Sequence, residues 1–129
     1  MGTAVKVVLD TSVVVSELTP IPGRMAISTV TIAELHFGVL MARDARARAA
    51  RLRRLSSVER LFDPLPVDDA VAASYGELAA AVSQLGRRPR ARALDLMIAA
   101  TAHAHGATLY TRNGKDLAGL DGLVEIAEI

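Results

Sequence analysis

The chain has 129 residues, 51% of them hydrophobic, no cysteine and a formal net charge of +1. That suits one domain over residues 1–129 with a core that needs no staples, and excludes a disordered chain, disulfides and thiolate metal sites. A reducing compartment such as the cytoplasm fits; no apolar run is long enough for a membrane span, and Met1–Lys6 lacks the basic start of a signal peptide.

Val5–Leu9 is a valine-rich run that stops at Asp10 and reads as a buried strand. A helix from Thr11 to about Leu18 follows, closed by Pro20, Pro22 and Gly23. Met25–Thr29 is a second strand. Thr31–Met41 is a helix with Ile32, Leu35 and Val39 near helical spacing, and Ala45–Phe62 is another, its leucines set among arginines. Pro64 and Pro66 break the pattern. Asp68 or Asp69 caps a helix that runs to about Leu85 and stops at Gly86. Arg87–Arg92 is a basic link, and Leu94–His105 is a helix ending at Gly106. Ala107–Thr111 is a strand, Arg112–Asp121 a loop with a short turn, and Leu123–Ala127 a last strand. The alternation predicts an α/β fold, a mainly parallel sheet with helices on both faces.

In such folds ligands collect at the carboxyl ends of the strands. Asp10 follows the first strand, Glu34 and Asp95 lie near helix starts, and Asp116 lies in the loop after Ala107–Thr111. Each acid has a purely structural reading. Asp10 suits an N-cap, Glu34 completes a Thr31-x-x-Glu34 capping box, Asp95 favours a helix dipole, and Asp116 can brace the Asn113–Gly114 turn. Together they converge on one sheet edge, where facing carboxylates repel unless a cation joins them. Hard divalent ions such as Mg²⁺ or Mn²⁺ take oxygen ligands and assist phosphodiester hydrolysis.

Four stretches carry a resemblance. Leu9-Asp10-Thr11-Ser12-Val13-Val14 resembles the opening of PIN-domain proteins. Ser28–Leu35 followed by Gly38-Val39, Asp95–Ala102, and Leu109–Leu117 resemble their second, third and fourth acidic motifs, in family order. The nearest likeness is to the VapC toxins of bacterial toxin–antitoxin pairs. The resemblance implies a PIN-like three-layer α/β/α sandwich and a Mg²⁺-dependent endoribonuclease, usually a homodimer, inhibited by a cognate antitoxin. RNA, such as tRNA or rRNA, is then the substrate. Asp10 and Asp95 would be the principal metal ligands, Glu34 would bind metal through water or orient the attacking water, and Asp116 would complete the cluster. Thr11, Ser12, Thr111 and Asn113 would support the acids or a phosphate. Two departures stand out. The Asp10–Glu34 segment is short for the family, and Asn113 stands where many relatives carry an acid, with Asp116 three residues on.

Thirteen of the fifteen cations are arginine, seven between Arg43 and Arg60 and four at Arg87, Arg88, Arg90 and Arg92. The second group, with Arg112, is the better candidate for phosphate contact near the site. The first either guides RNA, forms an antitoxin or dimer surface, or is a solvated helix face. His103 and His105 point apart on a helix, which disfavours a zinc pair, and His36 suits a surface contact. There is no G-x-S-x-G and no phosphate-cradling glycine loop. With two Phe, two Tyr and no Trp, base stacking is not the main binding mode, so backbone charge dominates and salt weakens binding. The competing readings are a catalytically silent PIN-like RNA- or protein-binding module, marked by Asn113, and a receiver-type domain, weakened by the single acid after the first strand.

Overall fold

The computed structural model of the chain describes residues 5–16 and 24–129. Its elements are strand β1 (Val7–Leu9), helix α1 (Thr11–Val14), β2 (Met25–Ala26), α2 (Thr29–Leu40), α3 (Ala45–Leu61), α4 (Asp69–Gln84), α5 (Ala93–Ala104), β3 (Thr108–Thr111) and β4 (Ile126–Glu128). Short 3-10 turns span Pro89–Arg92 and Gly114–Leu117.

The four strands lie in the order β2-β1-β3-β4, and every pairing is parallel. Val8 packs into one core cluster with α4 and α5, through Val71, Leu78, Leu96 and Ile98. Its neighbour Leu9 packs into a second, with Val13, Leu35, Val39, Leu55 and Val58 of α1, α2 and α3. Alternate side chains of a strand face opposite ways, so helices cover both faces and the expected α/β/α sandwich is present. The outer edge beside β2 is closed by Leu65, whose N–H donates to the Ile27 carbonyl at 2.9 Å and whose carbonyl accepts from Thr29 N–H at 3.0 Å. The flanking Pro64 and Pro66 cannot donate there, which ends the sheet.

Local chemistry sets the helix ends. Asp44 and Asp68 accept from the N–H of Ala47 and Val71 and cap α3 and α4. Gly86 and Gly106 take positive φ, 79° and 62°, after α4 and α5. Each closes a Schellman motif, the next N–H reaching back to Val82 or Ala102.

Several boundaries differ from the sequence expectation. The second helix begins at Thr29 and not at Thr31, because Ser28 is the cap: its Oγ accepts from Val30 N–H at 3.0 Å. The second strand is correspondingly short. The last strand starts at Ile126, since Leu123 and Val124 spend their N–H groups on the Leu120 carbonyl in a turn. The helix after Asp10 is a single turn, Thr11–Val14; the rest of that expectation, with Pro20, Pro22 and Gly23, lies outside the described residues. Among the described residues no helix is long and apolar enough to cross a membrane.

Candidate active site

Strand order reverses between β1 and β3, and in such sheets the carboxyl ends at the reversal are where ligands bind. Asp10 follows β1, and its N–H donates to the Tyr110 carbonyl of β3 at 2.8 Å. The residue is 7% exposed, and its carboxylate does not cap α1. Instead, Oδ2 accepts from Ser12 Oγ at 2.7 Å and from Thr111 Oγ1 at 2.9 Å. Both hydroxyls in turn accept from backbone, Ser12 from Arg112 N–H at 3.1 Å and Thr111 from Asn113 N–H at 3.0 Å. Their single protons are thus committed to Asp10, so the 3.4 Å approach of the two hydroxyls is a contact and not a third bond. Oδ1 of Asp10 accepts nothing from the described residues and is not sealed from solvent.

Glu34 is held similarly. Thr11 Oγ1 donates to Glu34 Oε1 at 2.6 Å. With that proton used, the 2.9 Å bond between Thr31 and Thr11 must run from Thr31. A relay Thr31–Thr11–Glu34 therefore links α2 to α1. It displaces the capping-box reading: Thr31 is fully buried inside α2, and the Glu34 carboxylate turns toward Thr11.

Asp95 lies in the first turn of α5. Burial raises its pKa above the ordinary carboxylate value, and the charges of Asp10, Glu34 and Asp116 raise it further, against a lowering by Arg92. Glu34 and Asp95 line one recess together with Arg92. Asp116 is paired with Arg92, whose Nη1 lies 2.9 Å from Oδ1. Asn113 is exposed; its backbone N–H donates to Thr111 Oγ1 at 3.0 Å and its carbonyl accepts from Asp116 N–H at 3.0 Å.

The donor set is carboxylate and hydroxyl oxygen, without sulfur or imidazole, which fits a hard divalent cation. Among the described residues no three of these acids are grouped closely enough to hold a metal ion between them; Glu34 is tied to Thr11 and Asp116 to Arg92.

The histidines lie elsewhere. His103 Nδ1 shares a 2.7 Å hydrogen bond with Ser74 Oγ, and its Nε2 is 3.4 Å from Glu77, tying α5 to α4. His36 faces Glu59 of α3 at 3.9 Å. Thr31, Arg51 and Arg54 were not among the expected site residues, yet Thr31 joins the relay and both arginines line the recess that holds Thr11 and Glu34. The i, i+3 spacing of Thr31 and Glu34 signals their common helix face; the arginines, on a different helix, carry no such signal.

The PIN domain family matches residues 7–123. Ribonuclease VapC5 of Mycobacterium tuberculosis is 39% identical over 126 residues, covering 92% of this chain and 90% of that protein. The crystal structure of VapBC-5 from the same organism, a member of the VapBC family of toxin–antitoxin systems, superposes with a TM-score of 0.83. Its identity is 41%, over 98% of this chain and 99% of that one. FitAcB of Neisseria gonorrhoeae gives a TM-score of 0.76 at 29% identity, over 93% and 95% of the two chains. The chain belongs to the PIN-domain family, and within it stands with the VapC proteins.

Proposed function

We propose that the chain is a divalent-metal-dependent endoribonuclease, the toxin of a type II toxin–antitoxin pair, cutting RNA phosphodiester bonds at its four carboxylates. The observation that carries this reading is that Glu34 and Asp95 line one recess with Arg92, whose guanidinium holds Asp116 at 2.9 Å. Relatives named ribonucleases support it.

Asp10 and Asp95 would hold Mg²⁺ or Mn²⁺, with Asp116 as the third acid in preference to Asn113. When bound, the cation supplies Lewis-acid activation of water and neutralises charge at phosphorus. Ser12 and Thr111 fix one oxygen of Asp10 and leave the other without a hydrogen-bond donor among the described residues. Glu34, anchored by Thr11 through Oε1, orients the attacking water through its remaining oxygen and accepts its proton. Attack is in line, with departure of O3′. A cognate antitoxin and a second copy of the chain are the protein partners. Support for such contacts comes from Phe37, Leu40 and Met41 at the end of α2, which are large, apolar and exposed.

Purified protein on total RNA tests the reading, with Asp95→Asn and a chelator as controls. Cleavage confined to the wild type with Mg²⁺ or Mn²⁺ is expected. Equal cleavage by both proteins would assign the activity to a contaminant and leave the chain a silent binding module.

A further inference from the structure

We propose that Glu34 stands between two arginine-lined phosphate sites, so that one RNA strand crosses the carboxylates held by Arg90 on one side and by Arg51 and Arg54 on the other. The proposal rests on the ribonuclease reading. One recess, of about 350 Å³, runs from Glu34 and Asp95 along Arg90, Ala91 and Arg92. A second, of about 250 Å³, is lined by Glu34, Thr11, Gly38, Arg51 and Arg54. Glu34 is common to both. Arg54 also borders a third, mostly apolar hollow with Val14 and Phe62 between α1 and α3.

The charges explain why cations stand on both sides. A phosphodiester polymer carries one negative charge per nucleotide. The reacting phosphate is neutralised at the centre, but its neighbours meet uncompensated carboxylates and need cations of their own. Arg92 is already committed to Asp116, which leaves Arg90 in its recess. Arg51 gives one N–H to the Gly38 carbonyl at 2.6 Å, which steadies its guanidinium and leaves further donors in the fork. Among the described residues neither Arg54 nor Arg90 is within ion-pair distance of a carboxylate. The other side of α3 is different: Arg53 and Arg60 line a separate hollow with Leu52 that does not include Glu34. An acidic peptide suits the arrangement less well, since it has no reason to run through a cluster of carboxylates.

Fluorescence anisotropy of a short single-stranded RNA with 2′-O-methyl sugars, titrated over a range of KCl in Mg²⁺, tests this. Arg54→Gln and Arg90→Gln should each weaken binding and reduce the log–log salt slope by about 0.7, as for one lost contact to a single strand. The double variant should lose about the sum, and Arg53→Gln and Arg60→Gln should leave the slope unchanged. The proposal is overturned if wild type binds and cleaves RNA while Arg54→Gln or Arg90→Gln behaves like the Arg53 and Arg60 variants. It is overturned equally if these arginines govern binding of poly-glutamate and not of RNA, which would mark a protein site. A wild type that neither cleaves nor binds RNA overturns the ribonuclease reading itself.

Discussion

Arg92 and Asp116 form an ion pair of 2.9 Å, in which the first residue before α5 holds an acid from the loop after β3. Arg92 therefore places a positive charge on an acid that a divalent cation would use, beside a second, Asp95, whose pKa it lowers. Arg92→Gln should free Asp116 and tighten Mn²⁺ binding in calorimetry. Both side chains are more than a third exposed, and such pairs are worth about 1 kcal/mol at most, so the gain should be a few-fold. Weaker Mn²⁺ binding would show instead that Arg92 positions Asp116 for the metal.

The Thr31–Thr11–Glu34 relay predicts that Thr11→Val misorients Glu34 without removing any acid. Groups that orient metal-site carboxylates typically contribute about 10–100-fold in activity, so RNA cleavage should fall within that range. Stability should fall by about 1 kcal/mol for the lost hydrogen bonds. Thr11→Ser keeps the hydroxyl and should restore most of the cleavage rate.

Asp95 gives a pH-dependent signature. Its folded pKa is raised, so the fold holds that proton more tightly than the unfolded chain does. Stability is therefore greatest below the unfolded value and is lost as pH rises through the folded one. In chelator at neutral pH, Asp95→Asn should melt higher than wild type, and the gain should fade as pH falls toward 3.8, the ordinary carboxylate value. A thermal melt series in chelator checks this. A gain that grows on acidification would show that Asp95 is stabilised as the anion.

Thr111 and Ser12 both serve Asp10 but differ in burial. Thr111 is fully buried, and Thr111→Val would strip the Asn113 N–H of its acceptor as well as Asp10 of a donor. The cost should be about 1–3 kcal/mol in denaturant titration, the range for an unsatisfied buried group. Ser12→Ala, at a partly exposed position, should cost less.

Periodicity and punctuation made most of the fold legible. The run ending at Asp10, the glycines after α4 and α5, and the proline pair around Leu65 all mark real boundaries. Errors arose where a local signal had two readings. Thr31-x-x-Glu34 has the form of a capping box, but Ser28 lies nearer the strand end and takes the cap, which frees Thr31 to bond across to Thr11. Leu123 and Val124 have strand-like side chains, yet Gly122 at φ 84° and the Leu120 carbonyl hold them in a turn. The four acids stand out in the sequence because strand ends of a parallel sheet share one edge. The Arg92–Asp116 pair and the place of Arg51 and Arg54 beside Glu34 do not, because they depend on how helices far apart in sequence pack.

Calorimetric titration of Mn²⁺ into wild type and Asp10→Asn, with RNA cleavage read on the same samples, tests the central claim most directly. The account predicts Mn²⁺ binding and Mn²⁺-dependent cleavage in the wild type, both lost together in Asp10→Asn. Equal binding and equal cleavage by the two proteins would contradict it.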